Sequence, residues 1–231
     1  MAVRLAKASD LAATSRIASR GFSLSPWNAF YRLFATAYPQ DVEKSYLREQ
    51  QEALGDQNKL FTVVELQAEA QDAKQVVGFV IWSYAQQQER KSDTAAIDLA
   101  DEKGSWPHPI ADRHHSLTEP DRSVDPYRAS ILFSATESAV QKYLGGHMEL
   151  DNMAVDPDHF RKGYGTLLCR HGMEITREDN IPVGVIAAEL GMKLYESLGC
   201  ACTAKVSLTD GRPGEDASVD FLVQEWNSKD N

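Results

Sequence analysis

Apolar positions along this chain follow two rhythms, alternating in some stretches and recurring every three or four residues in others, and the switches between them mark the elements. Residues 3–6 predict a short first strand, and Ser9 and Asp10 offer capping oxygens to a helix running to about Gly21. After Pro26 the aromatic-rich PWNAFYRLFATAY predicts a second helix, closed by Pro39, and a polar helix follows over roughly 41–54. LFTVVEL (60–66) and VVGFVIWSY (76–84) are β-rich runs with a polar connection between them, which predicts a hairpin. Asp125 and Pro126 supply an N-cap and a first-turn proline to a helix whose face carries Tyr127, Ile131, Ala135, Ala139 and Tyr143; Gly145-Gly146 ends it. HMELDNMAV (147–155) predicts a strand, 163–177 a helix, PVGVIAA (182–188) a strand and 189–198 a short helix. ACTAKVSL and SVDFLVQEW predict the two closing strands.

Residues 85–124 have no such rhythm. They are polar and punctuated by proline, too long for an ordinary connection, and predict an insertion that is either mobile or a functional flap. At 231 residues, 42% hydrophobic and 25% charged, the chain suits one domain, 1–231, around one ample core. Its 24 Lys and Arg against 34 Asp and Glu leave a formal charge of −10, which disfavours binding to nucleic acid or an anionic membrane. No apolar run approaches the roughly 18 residues of a membrane span, and the opening residues lack the apolar core of a signal peptide. Cys169, Cys200 and Cys202 form no disulfide framework, so reduced thiols and a cytoplasmic location are expected.

The strongest local signal is AVDPDHFRKGYGTLL, residues 154–168. A strand ends, Pro157 turns the chain, and Gly163 and Gly165 bracket the start of a helix. Glycines let backbone approach a ligand closely, and the first helical N–H groups lack internal partners. With the positive end of the helix dipole and the charges of Arg161 and Lys162, this makes a seat for a diphosphate. A bare G-x-G is more often a glycine turn into a helix, but the phosphate loop G-x-x-x-x-G-K-[ST] and the full G-x-G-x-x-G are both absent.

VDPDHFRKGYGTLL resembles motif A of the GCN5-related N-acetyltransferases, the GNAT superfamily, with its pattern [QR]-x-x-G-x-[GA]. Thirty residues after Gly165, LYESLGC (194–200) resembles their motif B ending, and VRLAKASDLAATSRIASRGF resembles their first strand and helix. Phe160 stands where the pattern has Gln or Arg, and Ala188 where members often carry Asn or Ser. The resemblance implies an α/β fold: a mixed, largely antiparallel twisted sheet of six or seven strands flanked by helices. It also implies acetyl-CoA as co-substrate, no metal, and direct transfer of acetyl to an amine in a ternary complex. The backbone of Met153, Ala154 and Val155 would bind the pantetheine arm, and Arg161, Lys162, Gly163, Tyr164, Gly165 and Thr166 the diphosphate.

An amine attacks a thioester only as the free base, and the departing thiolate needs a proton. Tyr195 matches the family's usual general acid, although a tyrosine packed at a helix end is the plainer reading. Glu149 matches where some members hold a base; Asp151, two residues on, shares its strand face, and a water chain is the alternative to both. The aromatics between residues 22 and 38 would wall the acceptor side, with Trp27 and Tyr31 holding a small, partly apolar amine such as an arylalkylamine. The alternatives are a protein N-terminal or lysine acetyltransferase and a catalytically silent acyl-CoA sensor. A monomer or homodimer is expected.

Three further features are set aside. Cys169 and His171 are two apart on a helix and do not face each other, so Cys169 reads as a core thiol. His108, His114 and His115 have no ligand cysteines nearby and read as surface residues. Cys200 and Cys202 would share a strand face, but a lone pair of thiols is no site.

Overall fold

The computed structural model describes residues 1–67, 74–84 and 120–227. Seven strands run in chain order as β1 (Ala2–Leu5), β2 (Lys59–Gln67), β3 (Lys74–Ser83), β4 (Met148–Val155), β5 (Val183–Ala187), β6 (Ala201–Thr209) and β7 (Ser218–Trp226). They form one sheet in the order β1-β2-β3-β4-β5-β7-β6; only β4 and β5 pair in parallel. The helices are α1 (Leu11–Phe22), α2 (Pro26–Tyr31), α3 (Pro39–Gly55), α4 (Pro126–Tyr143), α5 (Tyr164–Asp179) and α6 (Glu189–Ser197). This is the mixed, largely antiparallel sheet flanked by helices that the sequence predicts.

β2 and β3 are nearly continuous apolar runs because helices cover both of their faces. Phe61, Val63, Phe79 and Ile81 point into a cluster with Ile17 and Ala18 of α1 and Val42 and Tyr46 of α3. Leu60, Val64, Val80 and Trp82 point the other way, toward Leu168, Cys169 and Met173 of α5. A third cluster packs Phe30 and Tyr31 of α2 and Leu132 of α4 on Val219, Phe221 and Val223 of β7. Between α1 and α3, Thr14 donates from Oγ1 to Gln50 Oε1 at 2.7 Å, satisfying two polar groups inside the second cluster.

Three local expectations need correcting. The aromatic stretch after Pro26 is helical only to Tyr31, because Arg32 leaves the helix to bury its guanidinium against Asp121, Ser123 and Ser45 at 2.7–2.8 Å. Asp10 makes no side-chain cap of α1; its carboxylate takes two hydrogen bonds from Arg4 and one from the Lys7 N–H. Cys200 is buried ahead of β6 and Cys202 is exposed, so the two thiols do not form a pair on one face. The insertion expected at 85–124 lies outside the described residues up to 119. Its last residues bind back onto α3 and onto the residue that follows α2, since Arg122 pairs with Asp41 at 2.8 Å and Asp121 with Arg32 at 2.7 Å. Among the described residues no helix is long and apolar enough to cross a membrane.

Candidate active site where two strands part

β4 and β5 pair over only three positions, ending at Leu150 opposite Val185. β4 continues against β3 as far as Val155 opposite Gly78, while β5 turns along β7 to Ala187. Beyond Leu150, therefore, β4 has no strand on its β5 side. A cleft opens at the carboxyl ends of two parallel strands, where open α/β sheets bind ligands. Met153, Ala154 and Val155, expected to bind the pantetheine arm, all lie on this stretch.

α5 and α6 start at the mouth of that cleft. The chain leaves β4 through a short turn at Pro157–His159, which Asp156 caps by accepting from the Asp158 N–H. Arg20 of α1 holds the turn, donating to both oxygens of Asp156 at 2.9 and 2.7 Å and to Asp158 at 3.0 Å. Arg161 and Gly163 then adopt positive φ, 61° and 86°, which swings the chain into α5. A β-carbon on Gly163 would meet nothing within 4 Å, so its backbone faces open space. Gly165 differs: a β-carbon there would stand 3.2 Å from Leu194 Cδ2, so this glycine lets α5 approach α6. Beside Gly163 lies a hollow of about 220 Å³ lined by Lys162, Tyr164, Thr166 and Arg170, among others. Open backbone at a helix N-terminus with basic side chains around it fits a diphosphate. Arg170 went unnoticed in the sequence; its signal was its place four residues after Thr166, on the same helix face. A larger hollow, about 280 Å³, lies instead between α3 and the returning chain, where Asp41 and Arg122 pair across its wall. It is away from the parted strands.

Tyr195 of α6 is buried on the α5 side of the sheet, in the same cluster as Cys169, Cys200 and Met153. Burial raises its hydroxyl pKa well above the ordinary value, so it is protonated at neutral pH. Cys169 is buried as expected; burial pushes its thiol up, and that of Cys200 to about 11, so neither is a thiolate at neutral pH.

The opposite face of the parted strand is polar, and a β-bulge makes it so. Trp82 faces Leu150 and Ile81 faces Asn152, which leaves Asp151 as the extra residue on β4. The alternation shifts there: Leu150 points toward α5, yet so do Met153 and Val155, while Ala154 joins the α1–α3 cluster. Asp151 turns to Lys59 and Ser83, and one carboxylate oxygen takes hydrogen bonds from both. Glu149, the other expected acid, is half-buried, with Ser83 across β3 and Gly184 across β5. Asn152 donates from Nδ2 to Glu49 Oε1 of α3 at 2.8 Å. Burial raises the Glu49 carboxyl pKa, although its surface is still open to solvent, as befits a side chain in a cleft wall. Sequence reading missed Glu49. The available signal was its place three residues after Tyr46, beside the buried stripe of Val42, Tyr46, Gln50 and Ala53.

The two expected acceptor residues, one turn apart on α2, both pack in the third cluster. Trp27 is held on β7, with Nε1 donating to the Asp220 carbonyl at 3.2 Å and its ring edge-on to Phe221. Tyr31 is buried next to Arg32, whose Nε donates to the Tyr31 hydroxyl at 3.1 Å. His108, His114 and His115 lie outside the described residues, among which no cluster of three or more His, Cys, Asp or Glu could hold a metal.

Comparison with known proteins agrees with this fold. Residues 129–199 match the model of the acetyltransferase (GNAT) family. A protein of Stachybotrys chartarum named acetyltransferase is 26% identical over 209 residues, covering 90% of this chain and 84% of that one. Among solved structures, a yellow fever mosquito protein bearing the name arylalkylamine N-acetyltransferase 7 superposes with a TM-score of 0.56 at 11% identity, covering 97% and 86% of the two chains. The Salmonella typhimurium protein yncA, solved with its cofactor acetyl-CoA, has a TM-score of 0.50 at 17% identity and covers 98% and 93%.

Proposed function

Because the chain belongs to the GNAT acetyltransferase family, and is accordingly an acetyltransferase, we propose that it transfers acetyl from acetyl-CoA to a primary amine of a small molecule, directly in a ternary complex. The observation that carries this reading is the parting of β4 from β5 after Leu150, with the open backbone of Gly163 at its mouth. Acetyl-CoA supplies the activated acyl group as a thioester. The first turn of α5, with Arg161, Lys162 and Arg170, holds its diphosphate, and the unpaired edge of Met153, Ala154 and Val155 aligns its arm as an added strand would.

Tyr195 supplies the proton that the leaving thiol requires, from the α5 side of the sheet. The amine enters from the opposite side, where polar groups of α3 and β4 face each other and where Tyr31 would contribute its hydroxyl. Trp27 belongs to the β7 packing and supports this reading less than Tyr31 does. A screen of small primary amines, aminoglycosides and peptides, read by release of free thiol from acetyl-CoA, tests the proposal. Release with a small amine is the expected result. Acetyl-CoA binding without thiol release, or release with peptides alone, would overturn it.

A further inference from the structure

Resting on the reading of this cleft as an amine acetylation site, we propose that Glu49 of α3 takes the proton from the incoming ammonium group, with Asn152 holding its carboxylate in place. Asn152 is two residues past the last β4–β5 pair, so its amide projects from the very stretch where the strands have parted. The bulge at Asp151 aims that amide at α3, and the 2.8 Å bond fixes Glu49 Oε1 over the gap. Among the described residues Glu49 Oε2 accepts no hydrogen bond, which leaves one carboxylate oxygen for a ligand. The acids of β4 are worse placed. Asp151 is neutralised by Lys59 and bonded by Ser83 through a single oxygen, and Glu149 lies on the closed side of Leu150.

The charged and titratable groups facing Glu49 are Tyr46 of its own helix, Tyr31 at the end of α2 and Arg32 after it, Lys59 of β2 and Asp151 of β4. Lys59 and Arg32 favour the carboxylate and Asp151 opposes it, while burial is the largest influence and raises the pKa. A base with a raised pKa removes a proton from an ammonium group more readily than an ordinary carboxylate does.

The proton balance closes without a further reactant. Glu49 takes one proton from R–NH3⁺ and releases it to solvent, to which its surface is open. The nitrogen lone pair forms the C–N bond as the C–S bond breaks, and a second nitrogen proton replaces the one that Tyr195 gives to the thiolate. The net products are the amide, free CoA thiol and one proton.

The test uses the full chain, acetyl-CoA and phenylethylamine, with kcat/KM followed against pH. Glu49→Gln is expected to lower kcat/KM about 10²–10⁴-fold and to flatten the acid limb of the profile. Its acetyl-CoA affinity by calorimetry should be unchanged, which also reports folding. In Asn152→Ala the acid limb should move to higher pH, because the lost hydrogen bond had favoured the carboxylate; a purely structural role predicts no such movement. A Glu49→Gln protein that keeps its rate and its acid limb overturns the assignment, as does an unmoved limb in Asn152→Ala or loss of rate only in Glu149→Gln. Those results leave the amine reading standing. Wild-type protein that turns over no primary amine sinks that reading, and this assignment with it.

Discussion

The indole of Trp82 on β3 occupies the space where Gly172 of α5 would carry a side chain. A β-carbon at Gly172 would stand 2.2 Å from Trp82 Cε2 and 2.5 Å from its Nε1. Trp82 is fully buried and cannot move aside without disturbing the cluster under α5. This contact sets how closely α5 lies on the sheet, and so where its N-terminus meets the cleft. Gly172→Ala is therefore expected to lower the unfolding free energy by about 1–3 kcal/mol, measured by urea titration. In a Trp82→Phe background the loss should shrink, since the two positions share one space. Strictly additive losses would mean that the indole does not set the spacing.

Gly163 and Gly165 should separate in their effects. At Gly163, φ of 86° makes any side chain strained, and its β-carbon would enter the space assigned to the diphosphate. Gly163→Ala should weaken acetyl-CoA binding at least about tenfold, or roughly 1.4 kcal/mol. At Gly165 the added carbon would instead meet Leu194. Gly165→Ala should lower the melting temperature more than it lowers cofactor affinity. Calorimetry and thermal melts on both variants check this, and equal losses of affinity would remove the distinction.

Elements with a strong period were legible in the sequence, and so was the glycine turn into α5, because these depend on neighbours along the chain. What was hidden depends on distant residues. The end of α2 at Tyr31 is set by the partners of Arg32, of which Asp121 and Ser123 lie about ninety residues on. The bulge at Asp151 arises from how β3 registers against β4, and nothing in LDNMAV announces it. Asp10 has the look of a cap, but Arg4 and the Lys7 N–H claim its carboxylate. Glu49 acquires its place only when Asn152, far along the chain, comes to face α3. The side of the cleft proposed for the cofactor is thus built from a local motif, and the side proposed for the acceptor from long-range contacts.

Acid should unfold this protein through a few identifiable carboxylates. The guanidinium of Arg212, with help from Arg128, holds Asp210 well below the usual range against the cost of burial. Hydrogen bonds from Arg122 hold Asp41 at about 2. A carboxylate with a depressed folded pKa contributes stability above its unfolded value, near 3.8, and that contribution is lost as pH falls through the folded value. The melting temperature should therefore hold down to about pH 4 and fall between pH 4 and 2. Asp210→Asn should melt lower at pH 7, because it leaves the buried Arg128 with one acid fewer, and its acid dependence should be shallower. An acid limb unchanged in that variant would assign the transition to other groups.

Tyr195→Phe separates the ring from the hydroxyl. The ring packs against Gly191, where a β-carbon would stand 2.7 Å from Tyr195 Cε2, and Phe preserves that contact and the fold of α6. The hydroxyl alone is removed. If Tyr195 gives the thiolate its proton, kcat should fall by about 10²–10⁴-fold, while acetyl-CoA affinity and the melting temperature stay near wild type. The pH profile adds an independent check. A general acid must be protonated to act, and burial raises the Tyr195 pKa well above 10. Deprotonation of this residue should then cost no activity below pH 10, so wild type and variant should keep the same profile shape at different heights. A variant with full kcat across the range would leave Tyr195 as a packing residue only. A wild-type rate that falls between pH 7 and 9, with the fall absent from the variant, would show a hydroxyl ionising far more easily than its buried surroundings allow.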